Sequence, residues 1–128
     1  MIKAITKGIE ISVETLYVAR QSNPRESHYF FMYEIIIENK NDFSMQLLRR
    51  HWNIFDSNGE YRVVEGEGVV GEIPVIEPGE KYTYNSGCNL CTEMGKMSGF
   101  YTMKRLIDER EIDVTIPEFY LITPGKLN

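Results

Sequence analysis

The apolar residues of this chain recur with a period of two, and at short intervals residues that turn the backbone break the pattern. Ile9, Ile11 and Val13 alternate with Glu10, Ser12 and Glu14, which predicts a strand with one buried face. Tyr29, Phe31, Tyr33, Ile35 and Ile37 form the strongest stripe, and Glu34 and Glu38 mark the opposite face as the wetter one. Around the sole tryptophan, Leu48, Arg50, Trp52 and Ile54 share one parity, while Leu47, Arg49, His51 and Asn53 share the other. Trp52 is therefore expected at the middle of a central strand. Further strands are predicted at 61–64 and 81–85, along Met97, Gly99, Tyr101 and Met103, and along Ile112, Val114 and Ile116. Pro117 then shifts the parity to Phe119 and Leu121, which predicts a bulge or an edge position. Asn39-Lys40-Asn41-Asp42, Asp56-Ser57-Asn58-Gly59 and Asp108-Glu109-Arg110 carry turn chemistry, with Asn-Gly the pair favoured for a tight hairpin. No segment carries a helical repeat. The expected architecture is all-β, an antiparallel sandwich of about seven or eight strands, with one domain over 1–128.

Composition narrows what such a domain does. With 128 residues the chain can bury roughly two-thirds of its unfolded surface, enough for one core. A net charge of −5 gives solubility but no general attraction to nucleic acid or to anionic membranes. No apolar run approaches the roughly 20 residues of a membrane span, and no secretory h-region opens the sequence, so membrane insertion is not expected and a cytoplasmic location is.

Three motifs carry candidate chemistry. Gly66-Glu67-Gly68-Val69-Val70-Gly71 fits G-x-G-x-x-G, which binds a pyrophosphate when a strand precedes it and a helix follows. Pro74, Pro78 and Gly79 leave no room for that helix, and the five glutamates between Glu65 and Glu80 repel phosphate. The motif is read as a mobile sandwich loop, able to accept a side chain at Gly68 without loss of stability; a nest of backbone amides for an anion is the alternative. Arg49, Arg50 and His51 form the most electropositive spot. Arg50 shares the parity of Trp52 and is expected against an aromatic face or a buried carboxylate, and the cluster together with Gly66, Gly68 and Gly71 is the candidate site for an anion or an acidic peptide. Cys88 and Cys91 form a C-x-x-C that lacks the second ligand pair of a structural zinc site, with His28 and His51 the sole histidines; two reduced loop thiols are expected, with no resident metal. A Ser86, His51 and Asp56 triad lacks the nucleophile-elbow pattern, and Glu65 and Glu67 sit in a solvated loop, so no catalytic residue is assigned.

Blocks spread along the chain carry a resemblance. They include T-K-G-I-E-I-S-V at 6–13, Y-E-I-I-I-E-N at 33–39, L-L-R-R-H-W-N-I at 47–54, V-E-G-E-G-V-V-G-E-I-P at 64–74, Y-N-S-G-C at 84–88 and M-S-G-F-Y-T-M at 97–103. In these blocks the sequence resembles the ApaG family (DUF525 domain). The resemblance implies an immunoglobulin/fibronectin-III-like sandwich, a link to cobalt and magnesium homeostasis, and kinship with domains of F-box proteins that bind protein substrates. The expected function is a non-enzymatic interaction module with a protein partner and no cofactor. A homodimer through a sheet edge is a further expectation. The runner-up is a small-ligand protein that takes a nucleotide or a divalent cation at the glycine loop.

Overall fold

Period-two stretches become strands in the computed structural model of the protein, which describes residues 1–125. In order they are β1 (Ile2–Thr6), β2 (Ile9–Tyr17), β3 (Tyr29–Asn39), β4 (Met45–Asp56), β5 (Tyr61–Glu67), β6 (Val75–Ile76), β7 (Lys81–Leu90), β8 (Met94–Arg105) and β9 (Glu111–Ile122). The count exceeds the expected seven or eight because β1 has no buried stripe to announce it and β6 is only two residues long. One sheet has the order β1-β2-β3-β7; the other has β5-β4-β8-β9, with β6 paired to the start of β4. Every ladder is antiparallel.

Each sheet turns one apolar face inward. Phe31, Tyr33, Ile35 and Ile37 of β3 are buried as the stripe predicts, facing Trp52 and Ile54 of β4 and Met97, Tyr101 and Met103 of β8. Trp52 is 3% exposed and meets Tyr33 (5.4 Å, 62°), Tyr101 (6.4 Å, 84°) and Phe119 (5.9 Å, 90°) edge to face. Such tilted arrangements satisfy the ring quadrupoles and add to the area they bury. Asn39, fully buried at the end of β3, joins the layers: its amide donates to the carbonyls of Phe43 and Ile76, and its Oδ1 accepts from Asn41.

Two bulges correct the simple alternation. On β4 the register slips between Leu47 and Arg49, so Met45 and Leu47 face inward before the slip, and Trp52 and Ile54 after it. Leu48, expected on the Trp52 face, is the extra residue and is half-buried. On β9 the slip falls at Pro117, where the parity change predicts it: Ile116 lies opposite Gly99 but Phe119 opposite Met97. The Asp56–Gly59 turn also differs from the two-residue hairpin expected of Asn-Gly. Asp56 N–H donates to Glu60 O across three loop residues, with only Gly59 at positive φ, 96°.

The two flanks of the sandwich differ. On one, β9 packs against β1 and β2, and Thr115 N–H donates to Thr6 Oγ1. On the other, β5 and β7 are sheet edges facing one another across a cleft.

Truncating Trp52 to alanine removes the ring on which three aromatic contacts converge. Denaturant unfolding is expected to register a loss of about 3–5 kcal/mol. A loss under about 1 kcal/mol, or native emission at the wavelength of free indole, would show that the ring does not hold the layers together.

Candidate functional site

The open flank collects the groups able to contact a ligand. The cleft between β5 and β7 has a volume of about 430 Å³. Its floor is apolar, made by Tyr33, Trp52, Ile54, Val64, Tyr84 and Met97, and Arg50 and Arg62 supply its charge. Among the described residues no aspartate or glutamate lines it, although the protein as a whole carries a net charge of −5.

Arg50 enters this cleft because the bulge at Leu48 leaves it on the Trp52 side of β4. In place of the expected aromatic face or carboxylate, its Nη1 takes two backbone carbonyls as partners, donating to Glu67 O at 2.8 Å and Gly68 O at 2.9 Å. Opposite it in the ladder lies Gly66, where a Cβ would come within 2.8 Å of the guanidinium. The absent side chain is what lets Arg50 lie flat on β5.

The residues after β5 form a hairpin. Val69 N–H donates to Glu72 O (2.9 Å) and Glu72 N–H to Val69 O (3.0 Å), which closes a two-residue turn with Val70 (φ 49°) and Gly71 (φ 78°) both left-handed. Val69 is fully buried beneath the turn. Gly68 has φ 60°, and a Cβ on it would lie 2.0 Å from Glu72 O. The loop expected to be mobile is therefore pinned from below by Val69, from the side by Arg50, and at its end by Tyr82, whose hydroxyl donates to Glu72 Oε2. Gly68 cannot accept a side chain freely. No helix follows the motif, and the amides of Gly68, Val69 and Glu72 are bonded to Leu48, Glu72 and Val69 carbonyls, so they are not turned toward an anion.

Strand alternation divides the remaining candidates. Arg49 and His51 project from the outer face of the β5-containing sheet, away from the cleft, where a second hollow of about 450 Å³ is bordered by Arg49, Arg50, His51, Gly66 and the acidic Glu65 and Glu67. Arg49 pairs with Glu111 Oε1 (2.8 Å); His51 stacks on Phe100 (4.7 Å, 11°), with Nδ1 3.6 Å from Glu65. The three cationic residues thus border one outer hollow with Gly66, but Glu65 and Glu67 line it too, so its charge is mixed, and only Arg50 also reaches the cleft. Ser86 lines the inner cleft, opposite in facing to His51, and Asp56 is spent on the Cys91 amide and the Thr92 hydroxyl.

Behind Arg50 sits an array of phenols that the sequence did not single out. Tyr84 and Tyr101 hydroxyls bond one another across the two sheets, and Tyr33 lines the same cleft as Tyr84. Burial pushes all three phenols above their ordinary pKa, opposed by the positive charge of Arg50. The bond of Tyr84 to Tyr101 joins different strands of the two sheets and is tertiary.

Cys88 is a buried strand residue, not a loop thiol, and burial raises its pKa while Arg62, whose Nη2 lies 3.5 Å from Sγ, opposes the shift. Cys91 is exposed. Its sulfur lies with the carboxylates of Asp56 and Glu60 inside a 4.8 Å group, the one cluster of this kind among the described residues. Both Asp56 oxygens already accept hydrogen bonds there, so the group is read as a lock on the turn. Neither His28 nor His51 belongs to it. No helix among the described residues is long and apolar enough to cross a membrane.

Comparison with known proteins bears on this geometry. A family model described as DUF525, the ApaG domain, matches residues 19–105. Protein ApaG of Rhizobium leguminosarum bv. trifolii is 46% identical over 128 residues, covering 99% of this chain and 97% of its own. Protein ApaG of Methylorubrum extorquens is 46% identical over 124 residues, covering 97% and 95%. Among solved structures, a Bordetella pertussis protein described as ApaA matches with a TM-score of 0.88 at 36% identity, covering 98% of this chain and 100% of its own.

Three outcomes follow from the site. Gly68→Val is expected to destabilise by more than about 1 kcal/mol, because it forces a β-branched residue to positive φ against Glu72 O. A melting temperature equal to that of the parent would mean that the hairpin is loose. Tyr84 and Tyr101 have folded pKa values above their unfolded one, so their neutral forms stabilise the fold below about pH 10 and that contribution is lost as pH rises further. Unfolding free energy should accordingly be nearly flat from pH 7 to 8, ease above that as the Cys88 thiol ionises in the unfolded chain, and fall more steeply above 10, less so in Tyr84→Phe. Finally, a disulfide-exchange thiol reagent should titrate Cys91 alone in the native protein and Cys88 only after denaturation. Prompt reaction at both would place Cys88 in solvent.

Proposed function

We propose a binding role on one premise: this chain belongs to the ApaG domain family. The protein acts as a non-enzymatic interaction module that takes an extended segment of a partner protein onto the free edge of β5. One observation carries this reading. Tyr61, Val63, Val64, Val70, Ile73 and Val75 are all exposed large apolar residues, and they fall within one stretch that runs through β5 and the hairpin beside it to the start of β6. A sheet edge leaves a row of backbone donors and acceptors unpaired, and native proteins shield such edges with charge, proline or cover. Here the edge pairs exposed valines with an open cleft, which suits strand addition: the backbone supplies affinity and alternate side chains supply selectivity.

The non-enzymatic part rests on the spacing of the reactive groups. Ser86, on β7 of one sheet, lines the cleft, whereas His51, on β4 of the other sheet, lies on that sheet's outer face, and Glu65 and Glu67 project outward, away from the cleft. On this reading the cobalt and magnesium link of the family runs through a partner protein and not through metal held by this chain.

Val63 is exposed on the outer face, so Val63→Asp should change stability by no more than about 0.5 kcal/mol. It should nonetheless remove the proteins captured from native lysate by the parent chain, and with them the added amide protection of β5 in hydrogen exchange. Identical capture and protection in parent and variant would sink the edge reading. Mg²⁺ and Co²⁺ should leave the melting midpoint unmoved. A specific ion at a hundred times its Kd would stabilise by about 2.7 kcal/mol, so a saturating upward shift would replace the partner-mediated link with a direct one.

A further inference from the structure

The strand-addition reading leaves open which segment β5 accepts, and the two faces of β5 specify it. Cross-strand pairing with β4 sets those faces. Arg62 and Val64 lie opposite Ile54 and Trp52 and point to the cleft, whereas Val63 and Glu65 lie opposite Asn53 and His51 and point outward. Residues directly opposite in an antiparallel ladder share a face, and opposite charges there attract while like charges repel. An incoming strand therefore meets, in sequence, a negative outer position at Glu65, an apolar inner one at Val64, an apolar outer one at Val63 and a positive inner one at Arg62.

Arg62 is prepared for its part. Its Nη2 donates to Asn89 O at 2.6 Å, which fixes the guanidinium at the mouth of the cleft, and a guanidinium has five N–H donors to offer. The cleft behind it has a second guanidinium, that of Arg50, and no lining carboxylate among the described residues. A carboxylate side chain that enters from the edge meets two guanidiniums inside the cleft, with Asp56 and Glu60 bordering a separate hollow on the other side of Arg62, and its neighbours two positions away lie toward Val64 and toward Glu60.

We propose that, given strand addition to β5, the partner segment is an antiparallel strand reading basic, apolar, apolar, acidic from N to C terminus. Its acid enters the cleft against Arg62, and its base meets Glu65 on the outer face. The antiparallel sense follows every ladder already in the protein.

The same order of charges occurs in β5 itself, as Arg62-Val63-Val64-Glu65, which raises a second copy of this chain as an occupant. Symmetry removes it. The axis that relates two antiparallel edge strands is perpendicular to the sheet and places each residue opposite one whose number makes an even sum with its own. Arg62 and Glu65 make an odd sum. A symmetric pair centred on Val63 sets Arg62 against Val64 and Glu65 against Tyr61, and one centred on Val64 sets Arg62 against Gly66, so neither forms the charge pairs. The occupant is a different chain.

The test is selection of a displayed library of random ten-residue peptides on the full-length protein, followed by affinity measurement on synthetic copies. Enrichment of the basic-apolar-apolar-acidic order is expected, with binding abolished by Val63→Asp. Replacing the peptide's acid by glutamine should weaken binding about two- to fivefold. Arg62→Glu should prefer a peptide with a base in place of the acid, and Glu65→Lys one with an acid in place of the base. These two variants probe opposite faces, so misfolding of one leaves the other informative. Peptides that lack this charge order, yet lose binding in Val63→Asp, would overturn the charge assignment and leave strand addition standing. Enrichment of no peptide that depends on β5 would overturn both. A concentration-dependent dimer dissolved by Val63→Asp would overturn the choice of occupant.

Discussion

A one-residue bulge at Leu48 decides what the inside of this sandwich contains. β4 is the strand around which its sheet assembles, with β5 and β6 on one side and β8 on the other. Period-two geometry obliges it to put every second residue inward. Without the slip, the parity that buries Met45 and Leu47 would bury Arg49, His51 and Asn53 and turn Trp52 to water. With it, both apolar segments face inward, and Arg50, the first inward residue after the slip, comes to lie among aromatic residues. A guanidinium brings five N–H donors into that setting, and they must be bonded. The carbonyls of Glu67 and Gly68 meet that need, and in doing so fix where the glycine-rich hairpin lies.

The hairpin is held against its own local preferences. Val70 is β-branched and sits at φ 49°, a conformation that costs about 1–3 kcal/mol and persists only where the surroundings impose it. Val69 buried beneath the turn, Arg50 on the incoming carbonyls and Tyr82 on Glu72 are those surroundings. Strain of this kind clusters at ligand clamps. Here it keeps the cleft walled at one end, so that the open flank stays shaped while the exposed edge of β5 stays free.

Much of this was legible in the residues. The stripe of β3, the burial of Trp52, the slip at Pro117 and the absence of a helix after the glycine motif all come from local patterns: alternation, volume, and proline chemistry. The candidate site was legible only in its members. Arg49, Arg50 and His51 are adjacent in sequence and border one outer hollow, but adjacent strand residues project to opposite faces, so only Arg50 also lines the cleft, while Arg49 and His51 pair with Glu111 and Glu65. Arg62, the residue that replaces them at the cleft, carries no local mark of its role.

Alternation and turn chemistry are properties of neighbours along the chain, and a strand's period of two needs no information from elsewhere. For that reason the sequence by itself determined the all-β class, the central place of Trp52 and most strand positions. Which sheet each strand joins, which flank closes, and which charges meet are properties of pairs distant in sequence. Tyr84 meets Tyr101, Arg62 meets Asn89, and β9 closes on β1 and β2 only when two layers stack. The tertiary structure alone decided that β5 would be left as an edge beside an arginine-lined cleft, because an edge is defined by the strand that is not there to pair with it.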